Sequence, residues 1–271
     1  MMTPFDTETG IQPIGDGKYL ANLSPRWWVQ QGPNGGYIAA IVLRAFTAAV
    51  DDEARTPRSL TLHYLRPAVE GDAVVEVTIE RSGRSLTTLS ARLMQGDRLI
   101  ALAIGAFSLA REGNDFCDLV MPQVPGPSHY AVPKIPEHAI PIGRRWDTRW
   151  AIGRPPMQGD SATSKAVSGG WIRLPECQPI DAVVAAAITD GWLPPIFSKV
   201  DTALAVPTVD LTIHFRSSLP HPGLADDDFV LAVFRTNVIA DGFLEEDGEI
   251  WAPDGTLIAQ SRQLAVVLPL S

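Results

Sequence analysis

Asp190 follows an almost wholly apolar run, Ala185-Ala186-Ala187-Ile188, with only Thr189 between. Burial in such surroundings disfavours a charged carboxylate, raises its pKa and makes it a better acceptor for a proton taken from water. A plainer reading is that Asp190, beside Gly191, only ends a helix. Gln263 lies in the apolar stretch 256–268 (TLIAQSRQLAVVL), where a buried carboxamide must find a hydrogen-bonding partner. Thr208 follows Pro207 at the head of a strand-like segment. Its hydroxyl can orient a water or a carboxylate, or it can simply begin a strand. Further forward, Pro33-Asn34-Gly35-Gly36 opens a long apolar run. Backbone N–H groups at such a helix start, near Gly35 and Gly36, can polarise a carbonyl with help from the helix dipole.

The elements that must position these residues are legible in outline. Residues 35–46 are Ala-rich and too long for one strand, so they read as a deeply buried helix with Asn34 as N-cap. Residues 59–66 (SLTLHYLR) alternate, with Leu60, Leu62 and Tyr64 on one face and Thr61 and His63 on the other. Segments 73–81, 86–94 and 99–109 continue the pattern, with turns at Gly83 and Gly96-Asp97. A buried helix before a four-stranded antiparallel meander is an α+β unit.

Over roughly 110–168 the texture changes. Pro122, Pro125, Pro127, Pro133, Pro136 and Pro141 exclude a long helix and suggest a linker. Within it, 144–151 (RRWDTRWA) reads as an opening strand that mirrors 18–23. The pattern then repeats. Residues 180–197 form a second Ala-rich helix, ended by Pro194 and Pro195, and Leu211-Thr212-Ile213-His214-Phe215 answers Leu60-Thr61-Leu62-His63-Tyr64. Strands over 229–237 and 242–251 follow, and 256–268 matches 98–109. The expected division is residues 1–110, a Pro-rich linker over 111–140, and a second unit over 141–271. Two such units can pair edge to edge in one continuous sheet, burying both helices.

Composition removes several function classes. The 271 residues carry a formal net charge of -9 and no dense basic stripe, so duplex nucleic acid is not an expected partner. Cys117 and Cys177 read as unpaired thiols in a reducing compartment, no Cys/His cluster suggests a metal, and no apolar run reaches membrane-spanning length. The polar, acidic first residues do not read as a signal peptide. These features point to a cytoplasmic location. There is no Gly-x-Ser-x-Gly elbow, no P-loop and no dinucleotide fingerprint after a strand. His63 and His214 occupy equivalent positions, which favours a shared structural role. Arg81, Arg84, Arg92 and Arg98 could meet coenzyme A phosphates, although scattered strand arginines are commonly solvated surface.

Three segments resemble those of the double hot dog acyl-CoA thioesterases, the type II bacterial acyl-CoA thioesterase family. They are Thr189-Asp190-Gly191-Trp192-Leu193-Pro194, Thr208-Val209-Asp210-Leu211-Thr212-Ile213-His214-Phe215 and Leu257-Ile258-Ala259-Gln260-Ser261-Arg262-Gln263. The resemblance covers nearly the whole chain. It implies two tandem hot dog units, each with a long central helix wrapped by an antiparallel sheet. It also implies a catalytic trio of Asp190, Thr208 and Gln263 around one activated water, with no cofactor and no metal. Gly35 and Gly36 are then candidates for holding the thioester carbonyl. The implied substrate is acyl-CoA or a related acyl thioester, and the implied assembly is a homo-oligomer. Because Thr208 corresponds to Pro57 and Gln263 to Gly105, one complete site per chain is expected. Alternatives on the same scaffold are a non-catalytic acyl-thioester binding protein and an enoyl-thioester hydratase or dehydratase.

Overall fold

The computed structural model describes residues 2–30, 32–136, 139–155 and 165–270; 137–138 of the expected linker and 156–164 of the expected second unit lie outside the described residues. In chain order the elements are α1 (Pro4–Glu8), β1 (Ile11–Gly15), β2 (Lys18–Leu23), α2 (Gly35–Val50), β3 (Thr56–Tyr64), β4 (Gly71–Ser82), β5 (Leu86–Gln95) and β6 (Arg98–Ser108). They continue with β7 (Asp147–Ile152), β8 (Ala166–Arg173), α3 (Ala182–Ile188), β9 (Leu204–Ala205), β10 (Thr208–Phe215) and β11 (Val230–Thr236). The last are β12 (Ile239–Ala240), β13 (Phe243–Trp251), β14 (Leu257–Val266) and β15 (Leu268–Pro269).

One antiparallel sheet runs β1-β2-β4-β5-β6-β3-β10-β14-β13-β11-β8-β7, with β12 paired to β13 off that path. From the central β3–β10 pair the order outward is β6-β5-β4-β2-β1 on one side and β14-β13-β11-β8-β7 on the other. Registers agree as well. Leu60 lies opposite Gly105 in β3–β6, and Leu211 lies opposite Gln263 in β10–β14. Both pairs carry an irregularity at the same place, between Pro57 and Ser59 and between Thr208 and Asp210.

α2 forms because 35–50 is a near-continuous run of helix-compatible apolar residues. Asn34 caps it, its Oδ1 accepting from the Tyr37 N–H at 3.0 Å. The helix ends at Asp51, whose left-handed conformation (φ 48°) turns its N–H onto the Thr47 carbonyl. Ile38, Ile41, Leu43 and Phe46 are buried along it, each contributing about 1.5–3 kcal/mol of hydrophobic stabilisation. α2 packs against α3, so the two helices share one core between them and the sheet.

Three expectations need correcting. β3 pairs with β6 and β10 and not with β4, so only β4-β5-β6 is a meander. The place equivalent to β2 belongs to β8, not to 144–151, which falls on edge strand β7. β8 went unread because Gly169-Gly170 inside it reads as a turn. The second helix is seven residues long, not a long central helix over 180–197. The Thr189 hydroxyl donates to the Ala186 carbonyl at 2.7 Å, the chain turns at Asp190-Gly191, and Pro194-Pro195 prevents helical continuation.

Candidate active site

Asp190 stands where the end of α3 meets the start of α2. Its Oδ2 accepts from the Asn34 side-chain N–H at 2.7 Å and from the Gly36 backbone N–H at 3.1 Å. The same Asn34 nitrogen donates to the Asp190 carbonyl at 2.7 Å, so one residue both caps α2 and holds this carboxylate. The approach requires glycine. A Cβ on Gly36 would stand 2.5 Å from the Ala187 carbonyl oxygen, and one on Gly35 would stand 3.0 Å from both Asp190 Oδ2 and the Tyr64 hydroxyl. Tyr64, from β3, closes this corner by donating to the Gly35 carbonyl at 2.8 Å.

Burial pushes the Asp190 carboxyl up to about 6. The Gly36 and Gly35 N–H groups, the Gln263 amide and the Asn34 amide oppose that rise by stabilising the charged form. Asp190 nonetheless keeps residual exposure, so solvent can reach it.

The Gly36 N–H, one of the two expected to hold a substrate carbonyl, donates to Asp190, so the negative charge that α2 finds at its positive end is a side chain of the same molecule.

Gln263, on β14, acts on this carboxylate from the sheet, and Thr208 stands beside it on β10. The Thr208 hydroxyl donates to Gln263 Oε1 at 3.0 Å, and Gln263 Nε2 donates to Glu246 Oε1 at 2.7 Å. Gln263 is 5% exposed, so the partners it required are Thr208, Glu246 and Asp190. The three side chains singled out in the sequence thus come from the turn after α3, from β10 and from β14, with Gln263 linking Asp190 and Thr208.

The sequence reading missed two members. Asn34 was expected only to cap a helix. Glu246, opposite Gln263 on β13, was not singled out. Its signal was its phase: Leu244, Glu246, Gly248 and Ile250 form the buried face of an alternating strand, while Glu245, Asp247 and Glu249 occupy the other. The histidines do not join the site, since His63 and His214 are both exposed. Arg81, Arg84, Arg92 and Arg98 are exposed too. Among the described residues no group of three or more His, Cys, Asp or Glu could hold a metal ion, and no helix is long and apolar enough to cross a membrane. Cys117 and Cys177 are exposed and unpaired.

Comparison with known proteins places this cluster in context. Residues 24–108 match the acyl-CoA thioesterase N-terminal domain, and residues 121–267 match the acyl-CoA thioesterase C-terminal domain. The chain belongs to the acyl-CoA thioesterase family. Within it, this thioesterase-family chain shares its fold with a hot dog protein of unknown function from Alicyclobacillus acidocaldarius, at 24% identity, full coverage of both chains and a TM-score of 0.87. A putative thioesterase II from Thermobifida fusca YX is 25% identical over 98% of each chain, with a TM-score of 0.82. The acyl-CoA thioesterase II TesB2 from Mycobacterium marinum superposes with a TM-score of 0.77 at 20% identity, covering 98% of this chain and 99% of that one. The thioesterase-like protein TwmA of Talaromyces wortmannii is 30% identical over 97 residues, which are 35% of this chain but only 28% of that protein. All of the trio lies within the stretch matched to the C-terminal thioesterase domain.

Proposed function

We propose that the protein hydrolyses acyl-CoA, or a related acyl thioester, to the free acid and the thiol by direct attack of one water activated by Asp190, Thr208 and Gln263. The observation that carries this reading is how the donors in the cluster are used. The Thr208 proton goes to Gln263 Oε1, and the Gln263 amide protons face Glu246 and Asp190. Asp190 Oδ2 is taken by Asn34 and Gly36. The cluster therefore offers a water acceptors: the second oxygen of Asp190, the lone pairs of Thr208 Oγ1, and the remaining lone pair of Gln263 Oε1. A water donating both hydrogens to such a set keeps a lone pair free for the thioester carbon. As the C–O bond forms, a water proton passes to Asp190, whose pKa of about 6 keeps it charged, yet basic enough to accept, at neutral pH. The carbon–sulfur bond then breaks, and the leaving thiolate takes the proton held by Asp190, which releases the coenzyme A thiol and restores the base.

The cluster also supports this reading over an enoyl-thioester hydratase, because the exposed histidines supply no acid or base beside Asp190. The proposal includes the tandem double hot dog arrangement, with units over 1–110 and 141–271 joined through 111–140; the mirrored strand order on either side of β3–β10 supports it. A cytoplasmic location fits the two exposed free thiols. Homo-oligomerisation fits the open sheet edges at β1 and β7.

The test is thiol release from a panel of short-, medium- and long-chain acyl-CoAs by the wild type, Asp190→Asn and Gln263→Ala. Turnover by the wild type and its loss in both variants is the expected result. Wild-type turnover that both variants retain would refute the site. Stabilisation by acyl-CoA without thiol release would turn the reading to a binding protein.

A further inference from the structure

Glu246 is 4% exposed, sits directly across the β13–β14 ladder from Gln263, and accepts from its amide at 2.7 Å. Its other oxygen, Oε2, is buried with no hydrogen-bond partner. A carboxyl group this deep, with one oxygen on a catalytic amide and the other unpartnered, is costly to keep without a role. Among the described residues no cation pairs with it. Arg235, from the neighbouring β11, pairs with Glu249 at 3.1 Å, and Arg262, from β14, pairs with Asp247 at 3.3 Å. The remaining charges that reach Glu246 are those of Asp190, Glu245 and Asp247, all of the same sign.

We propose that Glu246 is a positioning residue: a protonated, neutral acid at neutral pH that locks the Gln263 amide in the one orientation able to serve the water. This rests on the thioesterase reading above. A free carboxamide has two orientations related by a half-turn. With the acid's proton on Oε2, Glu246 presents its carbonyl oxygen Oε1 to the amide, and a flipped amide would bring its own oxygen against it. The same choice turns Gln263 Oε1 toward Thr208, where it accepts. Glu246 thus fixes what Gln263 presents to the site without itself touching substrate.

Keeping the acid neutral is what makes this compatible with catalysis. Burial, and after it the charge of Asp190, pushes the Glu246 carboxyl up to about 8. Between the two transitions Asp190 is charged and Glu246 is not. Above them, a second negative charge stands beside the base where negative charge also builds on the thioester oxygen. Turnover should therefore rise with pH through about 6 and fall again through about 8.

The experiment measures kcat and KM for acyl-CoA hydrolysis across that pH range in the wild type, Glu246→Gln, Glu246→Ala, Gln263→Ala, the Glu246→Ala/Gln263→Ala double variant and Asp190→Asn. Glu246→Gln keeps a neutral group with an acceptor oxygen for the Gln263 amide. It should hold kcat near the wild-type value at neutral pH and lose the alkaline fall. Glu246→Ala frees the amide and should lower kcat about 10- to 100-fold with KM little changed. Because both changes act on one group, the double variant should be no slower than Gln263→Ala alone.

An alkaline limb that persists in Glu246→Gln, or full kcat in Glu246→Ala, overturns the proposal. Should Glu246→Ala fail to fold, the Glu246→Gln profile decides. If Asp190→Asn is inactive while Glu246→Ala is fully active, only the role of Glu246 falls. If the wild type cleaves no acyl-CoA, or Asp190→Asn turns over normally, the underlying reading falls with it.

Discussion

Replacing Asp190 by Asn tests activity and stability at once, and the two should move in opposite directions. Asn is nearly isosteric, and its side-chain oxygen can still accept from Asn34 and Gly36, which now bond Asp190 Oδ2 at 2.7 and 3.1 Å. What is lost is the proton acceptor. A positioned general base contributes about 10²- to 10⁴-fold, so thiol release should fall by that factor while acyl-CoA affinity changes little.

The stability effect follows from the raised pKa. In the folded protein Asp190 titrates near about 6 instead of 3.8. As pH climbs from 3.8 the unfolded chain ionises first, so wild-type stability falls until the folded carboxyl has titrated as well. A shift of roughly 2 units corresponds to about 3 kcal/mol at 1.36 kcal/mol per unit. The penalty is absent at pH well below 3.8, develops up to about 6, and is constant above it. Asp190→Asn removes it, so the variant should match the wild type in acid and exceed it by up to about 3 kcal/mol at neutral pH. Denaturant unfolding at a series of pH values reads that difference directly. An advantage of the variant over the wild type that is no larger at neutral pH than in acid would contradict the desolvated-base account. So would turnover within a few-fold of the wild type.

Asn34→Ala removes both a helix cap and a donor that stabilises charged Asp190, so it should cost about 1 kcal/mol and move the acid limb of the pH–rate profile upward. Unfolding curves and the pH dependence of kcat check the two effects separately. Gly36→Ala places a Cβ 2.5 Å from the Ala187 carbonyl oxygen, and forcing the helices apart should cost about 1–3 kcal/mol together with activity, read by thermal melting and thiol release. Thr208→Val keeps the shape but leaves Gln263 Oε1 without its donor. It should lower kcat more than it raises KM, which steady-state kinetics on one acyl-CoA will resolve.

What the sequence made legible and what it hid have physical reasons. α2 and its Asn34 cap were readable because an unbroken apolar run behind an Asn has few other solutions. Asp190, Thr208 and Gln263 could be named, but each alone had an ordinary structural explanation; only their joint resemblance to a family singled them out. The contact of Asp190 with Gly36 spans 154 positions, and no local pattern encodes it. A local reading of the sequence therefore could not show that the Gly36 N–H meets a side chain. Glu246 was hidden by its neighbours. Glu245, Asp247 and Glu249 make the segment look like a solvated edge, and only the two-residue period separates the buried acid from the half-buried ones.

The presence of one such cluster, not two, follows from helix length. Gly105 and Gln263 hold the same register position, opposite Leu60 and Leu211. At Gly105 even a Cβ would stand 2.7 Å from the ring of Phe46, which α2 reaches only because it runs for 16 residues. A carboxamide has no room there, and Pro57, opposite Phe107, brings no hydroxyl where Thr208 has one. α3 stops at Ile188 after only seven residues, too short to carry a counterpart of Phe46, the twelfth residue of α2. The space left by the short helix is where Gln263 and Glu246 meet, and the turn that ends it delivers Asp190 to them. In the first half a long helix fills the sheet with hydrocarbon. In the second, an early stop lets a polar cluster form from three strands and two helix ends.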